Sequence, residues 1–435
     1  MDITTAGILM IAFLGVLLLI GTPIGLALAI SGISGLAMTR GFMPLEFLLS
    51  TFTYSYTANL SYIVLPLFLF MGHMAFVSGI SEKAFAAAEK LIGHISGGLA
   101  IATVFGCAAF AMVCGSSVAT ASTMGRVAMP EMLKRGYAPR LAAGCVAAGG
   151  TLGVLIPPSG ILVIYAIVTQ ASMVDLLLAA ILPGLVTAAI YAFGIWGVTQ
   201  WKPELAPRAE RREKLGVSGA LRVAFSSWEV MLLFAVVMGT IYLGIATPTE
   251  SAAVGALIAL LIAARRSKNR KALLAEGLRE TGSATAAIFL LIIGAGLFSL
   301  GLSTTQIPTR FAAWMVSFTD NRLLLLLILL VPYIILGMFV DGISMILLTM
   351  PIVFPVIKQA GIDPIWFGII VTKTVEIGCL TPPVGLNAFV VKNVAPSIPL
   401  GEIFRGCGFF ILLEIIVIGI LIVFPEITTV LRTST

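Results

Sequence analysis

Sliding this chain along itself by 225 residues lays its glycines and prolines on one another without a gap. Thr22, Pro23, Pro130, Gly136, Pro139, Gly153, Pro157, Pro158 and Gly160 in the first half meet Thr247, Pro248, Pro355, Gly361, Pro364, Gly378, Pro382, Pro383 and Gly385 in the second. Glycine and proline dictate the backbone path more strongly than other residues. A matched series in one register therefore means two copies of one path, placed here as repeats 1–217 and 218–435.

Composition says where that path lives. Of 435 residues 59% are hydrophobic and 11% charged, and mean hydropathy is +1.09. That leaves too little polar surface for a water-soluble globule. The chain reads as an all-α polytopic membrane protein. Apolar runs such as Ala6 to Ile20, Leu178 to Val198, Val230 to Leu243, Ala284 to Leu300, Leu323 to Gly337 and Phe409 to Phe424 reach or approach the roughly 20 residues a helix needs to cross a bilayer. The first run has no basic leader and continues through Gly21, Thr22 and Pro23, so it reads as a span and not a cleaved signal. Cys107, Cys114, Cys145, Cys379 and Cys407 lack metal or redox spacing and read as reduced packing residues. A net charge of +6 sits in loops between spans. That is the cytoplasmic bias of Lys and Arg and points to a lipid bilayer, not to nucleic acid.

Two basic loops set the orientation. Trp201 to Arg222 carries Lys202, Arg208, Arg211, Arg212, Lys214 and Arg222, and Arg265 to Arg279 carries Arg265, Arg266, Lys268, Arg270, Lys271 and Arg279. Both are expected in the cytoplasm, with Trp228 to Ala264 going out and back between them. Lys134, Arg135 and Arg140 have uncharged equivalents in Gln359, Ala360 and Ile365. Equivalent connections of opposite loop charge predict an inverted-topology repeat, an architecture of secondary transporters. The linker from Trp201 to Arg222 is either a surface helix, with Leu215, Val217, Leu221 and Phe225 on its apolar face, or a solvated connection. Ser81 to His94 predicts a second amphipathic helix at the membrane surface, capped by Ser81 with Glu82 at its positive end.

Chemistry belongs where apolar helices break, because free backbone groups at membrane depth are tolerated only against protein, ions or water. Hairpins are placed at 97–125 and 323–357, and discontinuous helices at 141–170 and 365–392. Pro157-Pro158 and Pro382-Pro383 donate no backbone hydrogen bond, so carbonyls of the preceding turn are free for a hard cation. Beyond each break a restarting helix offers N–H groups to an anion. No thiolate or imidazole cluster suggests a transition metal. The chain does not read as an enzyme: there is no Gly-x-Ser-x-Gly beside a histidine, and Asp341 has no evident carboxylate mate. His73 and His94 are isolated.

At these breaks the sequence resembles the large membrane subunit of tripartite ATP-independent periplasmic (TRAP) transporters, within the wider group of elevator-type ion-coupled carriers. The likeness is carried by Gly115 to Ala121, Met129 to Met132 followed by Lys134 to Tyr137, and Gly150 to Ser159 in the first half. In the second it is carried by Asp341-Gly342, Pro351-Ile352 and Gly378 to Gly385. The resemblance implies sodium-driven import of a small organic acid (a dicarboxylate, 2-oxoacid, sugar acid or sialic acid) across a bacterial inner membrane. It implies a periplasmic substrate-binding protein and a small four-span membrane subunit, here a separate chain, as partners, and no cofactor beyond sodium. Its sodium sites map onto Cys114, Ser117, Gly153, Ile156 and Pro158 and onto Gly337, Gly378, Thr381 and Val384. Cys114 stands where serine is expected, which a backbone carbonyl ligand tolerates. A stand-alone sodium-coupled carboxylate or anion carrier of the same wider group is the alternative.

Substrate contacts are expected from Ser116, Thr120, Arg126, Ser159, Asp341, Ser344 and Asn387. Each has a plainer reading. Small hydroxyl residues such as Ser116, Ser117 and Thr120 also bond back to helix carbonyls or ease helix packing. Arg126 is either a carboxylate partner or a snorkelling arginine. Asp341 is the hardest to explain by packing, because a carboxylate among apolar runs costs about 2.5 to 3.5 kcal/mol at mid-membrane.

Overall fold

The computed structural model describes residues 2–41, 49–54, 57–207, 216–319 and 321–432, and among these it is helical without any strand. The linker positions Arg208, Arg211, Arg212, Lys214 and Leu215 lie outside the described residues. The first repeat runs through α1 (Ile3–Leu19), α2 (Ile24–Arg40), α3 (Val64–Val77), α4 (Ile80–Ile92), α5 (Gly98–Cys114), α6 (Ser117–Lys134), α7 (Pro139–Leu155), α8 (Gly160–Thr169) and α9 (Met173–Trp201). A short helix, α10 (Val217–Phe225), follows the linker. The second repeat comprises α11 (Trp228–Tyr242), α12 (Pro248–Arg266), α13 (Arg270–Ser303), α14 (Ile307–Phe318), α15 (Arg322–Gly337), α16 (Gly342–Gln359), α17 (Pro364–Leu380), α18 (Leu386–Val394) and α19 (Leu400–Val423). Among the described residues, seven helices are long and apolar enough to cross a membrane, or eight if α10 and α11 form one bent span.

The register of the sequence repeat is kept at the helix ends. α7 starts at Pro139 and α17 at Pro364, each with its proline in the first turn, where a missing N–H leaves no bond unmade. Both stop at the residue before a proline, which disfavours helical backbone: Ile156 has ψ 119° and Thr381 ψ 135°. The second arm of the first hairpin runs on to Lys134, beyond the 125 expected from sequence, carrying Pro130 within it.

Equivalent helices pack in equivalent pairs. α2 lies on α13 and α12 on α3; α7 lies on α19 and α17 on α9; α6 lies on α18 and α16 on α8. Each pair turns into the other under the 225-residue shift, which is the reciprocal packing of a twofold-related arrangement. Small residues bring some of these helices into backbone contact. A Cβ on Gly32 would stand 2.5 Å from the Leu297 carbonyl carbon, and one on Gly301 2.6 Å from the Gly32 oxygen.

The amphipathic helix expected near Ser81 is present as α4, but Ser81 does not cap it. Gly79, at φ 73°, is the N-cap; Ser81 is buried in the first turn and its hydroxyl donates to Glu82 at 3.0 Å. In the linker, α10 supports the helical reading, with Leu221 and Phe225 exposed. Charged side chains tie surface elements together: Glu229 on α11 takes Lys83 of α4 at 2.8 Å and also Arg266 at the end of α12. Arg135 bridges Glu89 at 2.5 Å and Glu131 at 2.7 Å.

Candidate functional site

The first hairpin turns over Gly115 and Ser116, between the end of α5 at Cys114 and the start of α6 at Ser117. Gly115 has φ 63°, and a Cβ there would lie 2.3 Å from the Pro158 carbonyl oxygen. Glycine alone meets both demands. Its carbonyl accepts the N–H of Gly160, the first residue of α8, at 3.3 Å. A Cβ on Gly153 would stand 2.7 Å from the Ser116 carbonyl oxygen and 2.7 Å from Thr120 Oγ1. The hairpin tip thus sits directly in the break of the discontinuous helix, uniting Ser116, Thr120, Gly153 and Pro158.

The second half repeats this docking. A Cβ on Gly337 would be 2.9 Å from the Gly378 Cα, and one on Gly378 2.5 Å from the Gly337 Cα. Gly385, where the helix restarts, donates its N–H to the Met338 carbonyl at 3.1 Å. Thr381 closes α17 and donates its hydroxyl to the Ile377 carbonyl at 2.6 Å. Val384 is part-buried beside it. The two breaks differ in access: Pro157 and Pro158 are buried, whereas Pro382 and Pro383 are exposed.

The donor chemistry fits a hard cation. The groups gathered at each break are carbonyls and hydroxyls, which such ions prefer over thiolate or imidazole. Thr120 Oγ1, at 0% exposure, has no hydrogen-bond partner, and Gly153 leaves the space beside it that a Cβ would fill.

A cavity of about 320 Å³ opens beside the first tip. Cys114, Ser116, Ser122 and Arg126 of the hairpin form one wall, and His73 of α3 and Glu280 of α13 stand in the other. His73 Nε2 and Thr281 Oγ1 on that second wall have no hydrogen-bond partner. The cavity therefore gathers Cys114, Ser116 and Arg126, and it also takes in His73, which stands alone in the sequence. Thr120, Ser159, Asp341, Ser344 and Asn387 do not line it. Ser159 caps α8 at 3.4 Å from the Leu162 N–H. Ser344 donates to Asp341 at 2.5 Å. Asn387, fully buried, donates its Nδ2 to the Ala147 carbonyl of α7 at 3.3 Å.

Sequence reasoning missed a buried polar network behind the breaks. Glu414 of α19, at 0% exposure, pairs with Lys373 of α17 and accepts hydrogen bonds from Thr151 of α7, at 3.2 Å, and from Tyr191 of α9. Glu376 lies one turn beyond Lys373 and is also buried. The signal was present: Lys373 and Glu376 are three residues apart inside an apolar helix, where ionisable groups are functional by default.

Comparison with known proteins places this architecture. Residues 11–427 match the family described as "Tripartite ATP-independent periplasmic transporter, DctM component". The C4-dicarboxylate TRAP transporter large permease protein DctM of Pseudomonas aeruginosa is 36% identical over 85% of this chain and 85% of its own. The sialic acid TRAP transporter large permease SiaM of Vibrio cholerae is 32% identical over 86% of each chain. The ectoine TRAP transporter large permease TeaC of Halomonas elongata is 31% identical over 98% of each. The Alcanivorax borkumensis YdaH transporter shares the fold, with a TM-score of 0.64 at 15% identity, covering 89% of this chain and 90% of that one. A repeated all-α membrane fold, hairpin tips docked into broken helices and a match over nearly the whole length lead to one conclusion: the chain is a multi-pass membrane permease that belongs to the TRAP transporter family, as its DctM-type large component.

Proposed function

We propose that the chain is the substrate-translocating subunit of a sodium-coupled importer of a small organic acid in a bacterial inner membrane. It would work with a separate small four-span subunit and a periplasmic substrate-binding protein. The observation that carries this reading is the repeated docking of tip on break, which in each half collects carbonyls and hydroxyls suited to sodium beside a restarting helix suited to an anion. Sodium would be held at Ser117, Gly153, Ile156, Pro158 and the Cys114 carbonyl, and at Gly337, Gly378, Thr381 and Val384.

The substrate carboxylate would meet Arg126 and the Ser116 hydroxyl in the cavity between hairpin and scaffold. α5 to α8 and α15 to α18 would move as a transport domain against the longer helices around α2, α3, α12 and α13, the motion of an elevator. Relatives named for dicarboxylate, sialic acid and ectoine share the fold, so the cavity's side chains and not the repeat would choose the substrate.

Co-reconstitution with the small subunit and the binding protein tests this reading. Uptake from a panel of organic acids should vanish when potassium replaces sodium at fixed membrane potential and pH. Equal uptake driven by a proton gradient alone would refute sodium coupling.

A further inference from the structure

Glu376 stands at 1% exposure in α17, and neither of its carboxylate oxygens has a hydrogen-bond partner. The nearby ammonium is already committed, since Lys373 pairs with Glu414. The three side chains are one base and two acids, so an ionised Glu376 has no counter-ion of its own. Burying an unpaired carboxylate is strongly unfavourable, the more so in a protein surrounded by lipid. A carboxylate at this position needs a compensating cation.

The position of Glu376 suggests what. Its carboxylate faces Lys373, Glu414 and Ser117, the last being the residue that opens α6 at the first hairpin tip. One turn on from Ser117, Thr120 carries the unpartnered Oγ1 that abuts Gly153. Carboxylate and hydroxyl oxygens around a net negative charge form a hard-cation environment. The 225-residue shift aligns Glu376 with Thr151, so the first repeat has no such carboxylate.

We propose that Glu376 is a carboxylate ligand of a coupling sodium ion bound against the Ser117 turn, so that the ion site of the first repeat is completed by a residue of the second. This rests on the sodium-coupled reading above. The Lys373–Glu414 pair has a positioning role: it engages the ammonium on Glu414 and leaves the Glu376 oxygens free for the ion. Filling the site then joins the two repeats across their interface.

The test uses the complete reconstituted transporter and compares wild type with Glu376→Gln and Glu376→Asp. Two quantities are read: the sodium concentration giving half-maximal uptake, and the rise in thermal midpoint caused by sodium relative to potassium. Wild type must respond to sodium in both, and failure there overturns the sodium-coupled reading and this proposal together. Glu376→Gln should raise the half-saturating sodium concentration about tenfold and shrink the sodium-specific thermal rise, while its midpoint in potassium does not fall. Values equal to those of a sodium-responsive wild type overturn the role of Glu376 alone. Loss of a pH dependence of uptake at unchanged sodium half-saturation would mean that the carboxylate holds a proton, which also overturns it. If Glu376→Gln does not assemble, Glu376→Asp, with its carboxylate one methylene back, must still raise the half-saturating concentration.

Discussion

Ser116 and Asp341, 225 residues apart, cap equivalent helices: Ser116 Oγ accepts the Ala119 N–H at 3.4 Å, and Asp341 accepts that of Ser344 at 3.1 Å. The two tips cap equivalent helices but differ in turn and in charge: a left-handed Gly115 precedes Ser116, whereas Met338 to Val340 lead into Asp341. Ser116 lines the cavity, whereas the exposed Asp341 does not.

Asp341→Asn separates capping from charge. Asparagine caps about as well as aspartate, so membrane abundance and thermal midpoint should hold while sodium-driven uptake falls. Asp341→Ala should lose a further ~1 kcal/mol of stability with the cap. Wild-type rates and sodium dependence in Asp341→Asn, at matched abundance, would leave the residue as a cap only.

Lys373→Met removes the cation from a site that holds two buried carboxylates. Breaking such a pair by removing one partner costs about 3–5 kcal/mol. Adding Glu414→Gln, which keeps an acceptor for Tyr191 and Thr151, should recover part of that loss in thermal unfolding. Additive losses would contradict direct pairing.

The sense of the repeat is open to impermeant labelling. Lys134 and Gln359 occupy equivalent exposed positions near the ends of α6 and α16. In a background without the five native cysteines, Gln359→Cys should react with a maleimide in intact spheroplasts and Lys134→Cys should not. Reaction of both, or of neither, would rule out an inverted pair.

Asp363, the cap of α17, offers a control away from the proposed ion and substrate contacts. It accepts from the Ile365 and Trp366 N–H groups at 2.9 and 2.8 Å and pairs with Arg432 at 2.9 Å. Partial burial raises its carboxyl pKa, but the Trp366 N–H and Arg432 outweigh that and leave it below the usual aspartate value. Asp363→Ala should cost about 1 kcal/mol and leave sodium half-saturation unchanged. Because the folded value is depressed, the wild type's advantage is complete above the ordinary aspartate range and disappears as pH falls through the folded value. An advantage that grows on acidification would contradict this.

The repeat and the ends of α7 and α17 were legible in sequence because proline and glycine act through local sterics, which need no tertiary partner. Pro157 and Pro382 end a helix wherever it lies, and Gly115 marks a turn before its neighbour is known. The helix at Ser81 was legible from its amphipathic pattern, which is likewise local. Its cap was not, because a left-handed Gly79 took the position that side-chain preference assigned to serine.

What the sequence by itself determined is therefore a membrane chain folded twice along one path, with breaks at prescribed residues. Only the tertiary structure decided that Arg126 and His73 face one cavity, that Asn387 reaches α7 and that Lys373 and Thr151 meet on one carboxylate of Glu414. Glu376 shows why. A glutamate in an apolar helix announces its cost, but whether a cation, a proton or a neighbour offsets that cost depends on charges distant in sequence, such as Glu414, which only packing brings together.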